Sequence, residues 1–138
     1  MHHTRLILAV LGLPVLVACS DLGDDPGDGG GPMNPPPETV NFVEDVQPIF
    51  DANCVGCHGD GGNAGLDLRS GLSYTNLVGI TATESSLSRV EPGEPMNSWL
   101  YLKLTGQQDV GTVMPPSGSL DADLTDLVRT WIEEGALD

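Results

Sequence analysis

Hydrophobic and polar positions divide the chain into three regimes. Leu6 to Ala18, LILAVLGLPVLVA, is an apolar run that Pro14 interrupts. Ser20 to Glu38, SDLGDDPGDGGGPMNPPPE, is almost devoid of apolar residues. From Thr39 to Asp138 apolar and polar residues alternate with helical spacing and no run shows strand alternation, so an all-α domain is expected there. Its clearest helix is the last, within LDADLTDLVRTWIEEG. Leu124, Leu127, Val128, Trp131 and Ile132 share one face, Asp121 is suited to N-cap the helix, and Gly135 sits where a C-terminal cap belongs. A second helix is expected in FVEDVQPIFDANC. Val46, Ile49 and Phe50 share a face there, and Asp45 is the expected N-cap because Pro48 fits a first turn and breaks a helix begun at Phe42. Short helices are expected in SGLSYTNLVG and in NSWLYLKLTG, the latter capped by Asn97 or Ser98 and ended by Gly106.

The first two regimes prepare the third. MHHTR supplies a short positive lead, and the thirteen-residue apolar run after it is shorter than the roughly 20 residues a membrane-spanning helix needs. Residues 1–18 therefore read as an export signal that is removed. LVAC, Leu16 to Cys19, resembles the lipobox of bacterial lipoproteins, which implies a diacylglyceryl thioether on Cys19, cleavage before it, and acylation of the freed amine. More than one acyl chain would hold the protein on a membrane, as a single chain binds only marginally. Ser20 after the cysteine implies, by the same resemblance, a lean toward the outer membrane, with the protein facing the periplasm. Residues 19–38 then form a tether of composition too polar to bury surface, on the order of 60 Å fully extended and roughly 25 Å as a flexible coil. Residues 39–138 are left as one domain.

Charge narrows the partners. Twenty acidic residues face five basic ones, a formal charge of −15 over 138 residues. That excludes nucleic acid as the main partner and opposes anionic headgroups, while a protein with a basic docking surface is compatible with it.

Histidine and cysteine are scarce, yet CVGCH, residues 54–58, holds two of the three cysteines and the one histidine beyond His3. Zinc would require a fourth ligand that no second CxxC or HxxxH pair supplies. Thiol–disulfide exchange places CxxC after a strand in a βαβ setting, whereas a helix precedes it here; an inert Cys54–Cys57 disulfide is the other thiol alternative. C-x-x-C-H is the signature of c-type haem attachment. Two thiols three positions apart can add to the two vinyl groups of one porphyrin, and the adjacent imidazole of His58 reaches the iron. Attachment takes place on exported chains, in agreement with the signal segment.

DVQPIFDANCVGCHGD resembles the start of class I c-type cytochromes, in particular short bacterial cytochrome c domains that carry V-x-P-I-F before the haem motif. The likeness continues through GLDLRSG, RVEPGEPMNSWLYLKL, the MPP segment and LVRTWIEEGA, and so covers nearly all of the domain and none of the tether. It implies one covalent haem c wrapped by short helices, with the first and last crossing where Phe50 meets Trp131. His58 is then the proximal ligand. With His2 and His3 removed and no other histidine, the sixth ligand falls to methionine: Met33 lies in the tether, Met96 precedes a helix, and Met114 stands late in the domain, as in class I cytochromes. Pro115 and Pro116 stiffen the loop around Met114. Candidate partners for the propionates are Arg89 first, then Arg69, Trp99 and Tyr101. His/Met ligation fills both axial positions, so the expected function is a monohaem electron carrier between redox proteins rather than an enzyme. A haem enzyme or sensor with an open sixth site, and a haem-free lipoprotein with a disulfide, are the alternatives. A buried porphyrin would also supply apolar bulk to a chain with two Trp, two Tyr and two Phe.

Overall fold

The computed structural model describes residues 39–138. The signal segment, Cys19, Met33 and the tether lie outside the described residues. Among the described residues the elements are all helical. A π-helical turn, Phe42–Val46, leads into α1, Gln47–Asn53; α2 is Ser73–Leu77, α3 is Trp99–Thr105 and α4 is Ala122–Glu133. Single 3-10 turns lie at Asn63–Gly65 and Pro95–Asn97. Extended segments meet only in isolated bridges, Val78 with Val90, Thr81 with Ser88 and Ser88 with Ser98. No helix among the described residues is long and apolar enough to cross a membrane.

α4 follows its local signals. Asp121 caps it by accepting from the Asp123 N–H at 3.4 Å, and Gly135 follows at φ +98°. Val128, Trp131 and Ile132 are buried, with Leu124 and Leu127 half-buried against the same core. α3 also ends as expected, on Gly106 at φ +71°. Ser98 occupies its N-cap position, but the hydroxyl is engaged elsewhere, accepting from Glu91 N at 2.8 Å and donating to Glu94 O at 3.0 Å.

The start of the first helix differs from expectation. Asn41, not Asp45, is the cap: its side chain accepts from Glu44 N at 2.9 Å, and Asp45 reaches back to accept from Asn41 N at 2.8 Å. The helical path begins at Phe42 despite Pro48 because the chain widens first, with Gln47 N bonded to Phe42 O five residues back. Pro48 has no N–H to contribute, and its ring disfavours an ordinary turn over the carbonyl four residues earlier. This earlier start brings Phe42 into the core and corrects the aromatic crossing. Phe42, rather than Phe50, meets Trp131, with ring centroids 5.0 Å apart, and Phe50 joins them through Phe42 at 6.2 Å. Tyr74 packs edge-on against Phe42 at 5.3 Å.

The two ends of the domain are tied over this cluster. Val40 N donates to Glu134 Oε2 at 2.8 Å, Trp131 Nε1 to Leu137 O at 2.8 Å and Tyr74 Oη to Ala136 O at 3.0 Å. A second, smaller buried cluster joins Ala82, Trp99 and Leu102, with Leu87 against it. Because Trp131 is fully buried and its indole N–H is satisfied, Trp131→Ala should cost about 3–5 kcal/mol of stability. Chemical denaturation of the holoprotein checks this; a loss below about 1 kcal/mol would be inconsistent with the crossing as the centre of the core.

Candidate haem site

The segment after α1 turns tightly about two carbonyls. Cys54 N and Val55 N both donate to Phe50 O, at 2.8 and 3.0 Å, and Cys57 N and His58 N both donate to Cys54 O, at 3.0 and 2.8 Å. The two thiols and the imidazole are thereby carried on one turn that continues the helix. Cys54 is half-buried against the core, Cys57 is exposed, and both thiols are free. Burial, with the neighbouring Cys57 adding to it, pushes the Cys54 thiol up to about 11. A dithiol built for exchange has a depressed pKa, so this environment disfavours that chemistry. Among the described residues no three His, Cys, Asp or Glu side chains are grouped so that they could hold a metal ion.

His58 is held from below. Its Nδ1 lies 3.2 Å from Asn63 O; a carbonyl can only accept, so Nδ1 carries the proton and Nε2 keeps its lone pair free for a metal. The loop that brings Asn63 there is fixed by Asn63 N and Nδ2, both donating to Cys57 O, and by Leu68 N donating to His58 O at 2.7 Å. Gly62 is required at its centre. A Cβ there would lie 2.6 Å from Leu66 O and 2.8 Å from both Gly59 O and the His58 Cα. Buried Gln47 links this loop to the helices: Nε2 donates to Leu68 O at 3.0 Å and to Asp51 Oδ1 at 2.8 Å, while Oε1 accepts from Ser73 Oγ.

A cavity of about 670 Å³ opens beside this turn, within the range of small-molecule and cofactor sites. Cys54, Cys57 and His58 line it, and so does Met114. Leu68, Leu77 and Leu104 from the larger core cluster and Ala82 and Trp99 from the smaller one form apolar walls. Met114 is half-buried, and its N–H donates to Lys103 O at 2.9 Å. Met96 is 55% exposed on the Pro95–Asn97 turn and does not line the cavity.

The candidate propionate partners separate. Arg89 is buried and lines the cavity, its guanidinium donating to Asn76 O at 2.9 Å, Ala64 O at 3.2 Å and Gly65 O at 3.3 Å. All three are carbonyls, and no carboxylate among the described residues pairs with it. Arg69, by contrast, is bound to Asp67 at 2.6 Å and to Asp60 at 3.3 Å and does not line the cavity; the Arg69 guanidinium in turn holds the Asp67 carboxyl below its ordinary range. Trp99 lines the cavity and Tyr101 does not. Lys103, which sequence patterning did not single out, is buried in the same wall. Ala64 adopts a left-handed backbone at φ +58°, unusual for a residue with a Cβ, where Arg89 and Thr83 both bond its carbonyl.

The model of a family described as Planctomycete cytochrome C matches residues 54–118, the stretch from the first thiol through Met114. A solved structure titled Kuenenia stuttgartiensis Hydrazine Synthase is similar over 71% of this chain, at a TM-score of 0.50 and 23% identity. This chain spans 16% of the length of that one, and at this identity the likeness is one of fold. No curated protein matches the chain. The described residues form a small all-α, cytochrome c-like domain. Its cofactor is a covalently bound haem c, which the thiol, imidazole and apolar lining of the cavity fit.

A methyl group at Gly62 meets only backbone, the His58 Cα included, so the loop around His58 must shift, whereas one at Gly56 meets nothing within 4 Å. Gly62→Ala should thus lower the yield of haem-loaded protein several-fold in a host that matures c-type cytochromes, and Gly56→Ala should leave it within about twofold. The haem-to-protein absorbance ratio of purified material reads both.

Proposed function

We propose that this protein is a membrane-tethered monohaem cytochrome that carries single electrons between redox proteins, with haem attached through Cys54 and Cys57 and iron held by His58 and Met114. The observation that carries the proposal is that both thiols, the histidine and Met114 line one apolar cavity. When bound, the haem supplies the one-electron iron couple. The chain's own residues do the rest. Asn63 O orients His58, the Leu and Trp walls exclude water, and the carbonyl of Lys103 holds the Met114 backbone. His58 and Met114 would hold the iron, a thioether donor would raise its reduction potential, and with both donors engaged no place would be left for substrate. Arg89, a buried cation bonded only to carbonyls, is assigned to a propionate, because a buried charge without an anion is costly.

Replacing Met114 with Ala should lower the reduction potential and create a site that binds carbon monoxide in the reduced state. An unchanged potential and spectrum would remove Met114 from the iron, and carbon monoxide binding by the unaltered protein would favour the enzyme or sensor reading.

The anchoring part of the proposal rests on LVAC and the tether composition. Detergent-extracted protein should have lost Met1 to Ala18 and carry acyl groups on Cys19, and Cys19→Ala should shift the haem protein from the membrane fraction to the soluble one. A Cys19→Ala protein that remained on the membrane would refute the lipid anchor.

A further inference from the structure

Lys103 lies in the middle of the apolar stretch WLYLKLT that forms α3, yet its side chain is only 8% exposed. Its ammonium is tied on three sides. Nζ donates to Val110 O at 2.9 Å, lies 3.1 Å from Glu84 Oε2, and stands 5.0 Å from the Trp99 ring centroid. Its backbone carbonyl, meanwhile, accepts from Met114 N at 2.9 Å. One residue of a rigid helix therefore grips the loop after α3 twice, at Val110 through the side chain and at Met114 through the main chain. Gly111, between these points, has φ +73°, and a Cβ there would stand 2.5 Å from Nζ. The loop is shaped to admit the ammonium, which argues that the contact is built into the fold rather than a surface lysine folding back.

We propose that Lys103 is the positioning residue for Met114, fixing the 107–114 segment so that the thioether faces the cavity. Rested on the assignment of Met114 to the iron, the proposal gives Lys103 a role that the ligand set alone does not. A loop with eight residues between the end of α3 and Met114 gains most of its freedom at its middle. The Val110 tie is placed there. Glu84 keeps the buried ammonium from standing as an isolated charge, and Trp99 offers it the negative face of the indole.

The test compares holoprotein variants Lys103→Met and Glu84→Gln with Met114→Ala. Lys103→Met keeps the length and apolar stem but loses every donor. Amide hydrogen exchange over residues 107–114 should accelerate at least tenfold while α4 is unaffected, and the thioether-to-iron absorption of the oxidised protein should weaken. Glu84→Gln retains the Val110 tie, so that absorption should persist. The potential should instead rise, because an uncompensated cation on the cavity wall favours the reduced state. Unchanged exchange and absorption in Lys103→Met would overturn the proposal. So would a Glu84→Gln protein that lost the absorption, including a case in which Lys103→Met does not fold. If Met114→Ala leaves the absorption intact, the ligand assignment itself fails, and the exchange measurement alone decides whether Lys103 holds the loop.

Discussion

The fold depends on how the turn Cys54–His58 is suspended from α1. Two N–H groups converge on Phe50 O and two on Cys54 O, so the thiols and the imidazole are placed by the last turn of a helix rather than by a free loop. That helix is in turn fixed because Phe42 and Phe50 reach the Trp131 cluster, and α4 is fixed by the ties to the chain ends. Each link is short-ranged. Precision at His58 thus derives from packing on the far side of α1, with Gln47 carrying it to the loop that orients the imidazole.

The cavity explains why buried side chains fall into two clusters. Leu68, Leu77 and Leu104 belong to one, Ala82 and Trp99 to the other, and all five border the same space. A cofactor in that space joins the clusters into one core and contributes the apolar area that a domain with few aromatic residues lacks. Binding and folding are coupled through the same surface, since whatever occupies the cavity in the native state stabilises it relative to the unfolded chain.

Much of this was readable from local signals. α4 has its face, cap and stop within sixteen residues, and C-x-x-C-H with an export signal points to haem attachment from the sequence alone. Features that depend on distant parts of the chain were not readable. Asn41 caps the first helix because the widened turn moves its start upstream, and the aromatic that meets Trp131 changes with it. Arg89 is the first propionate candidate from sequence and Arg69 the next, but no local signal separates their surroundings. Only the fold sets one against Asp67 and Asp60 at the surface and buries the other among carbonyls at the cavity. Nothing in the local sequence marks Lys103, because its partners Val110 and Glu84 come from two other segments and only Trp99 from the same helix.

The distribution of charge gives these buried cations their meaning. The domain has four basic residues, Arg69, Arg89, Lys103 and Arg129, in a chain of formal charge −15. Arg69 and Arg129 are part-exposed and bound to neighbouring carboxylates, where solvent makes such pairs worth little. Arg89 and Lys103 are both buried, and both line the cavity. An acidic protein has thereby placed half of its domain's positive charge where desolvation makes each charge matter most. With a haem bound, the surrounding negative charge would favour its oxidised, more positive form, and the two wall cations would oppose that bias. Lys103 is partly offset by Glu84, which is itself half exposed, whereas no carboxylate among the described residues offsets Arg89. Arg89 and Lys103 are therefore the positive charges of the domain that are placed to act on whatever occupies the cavity.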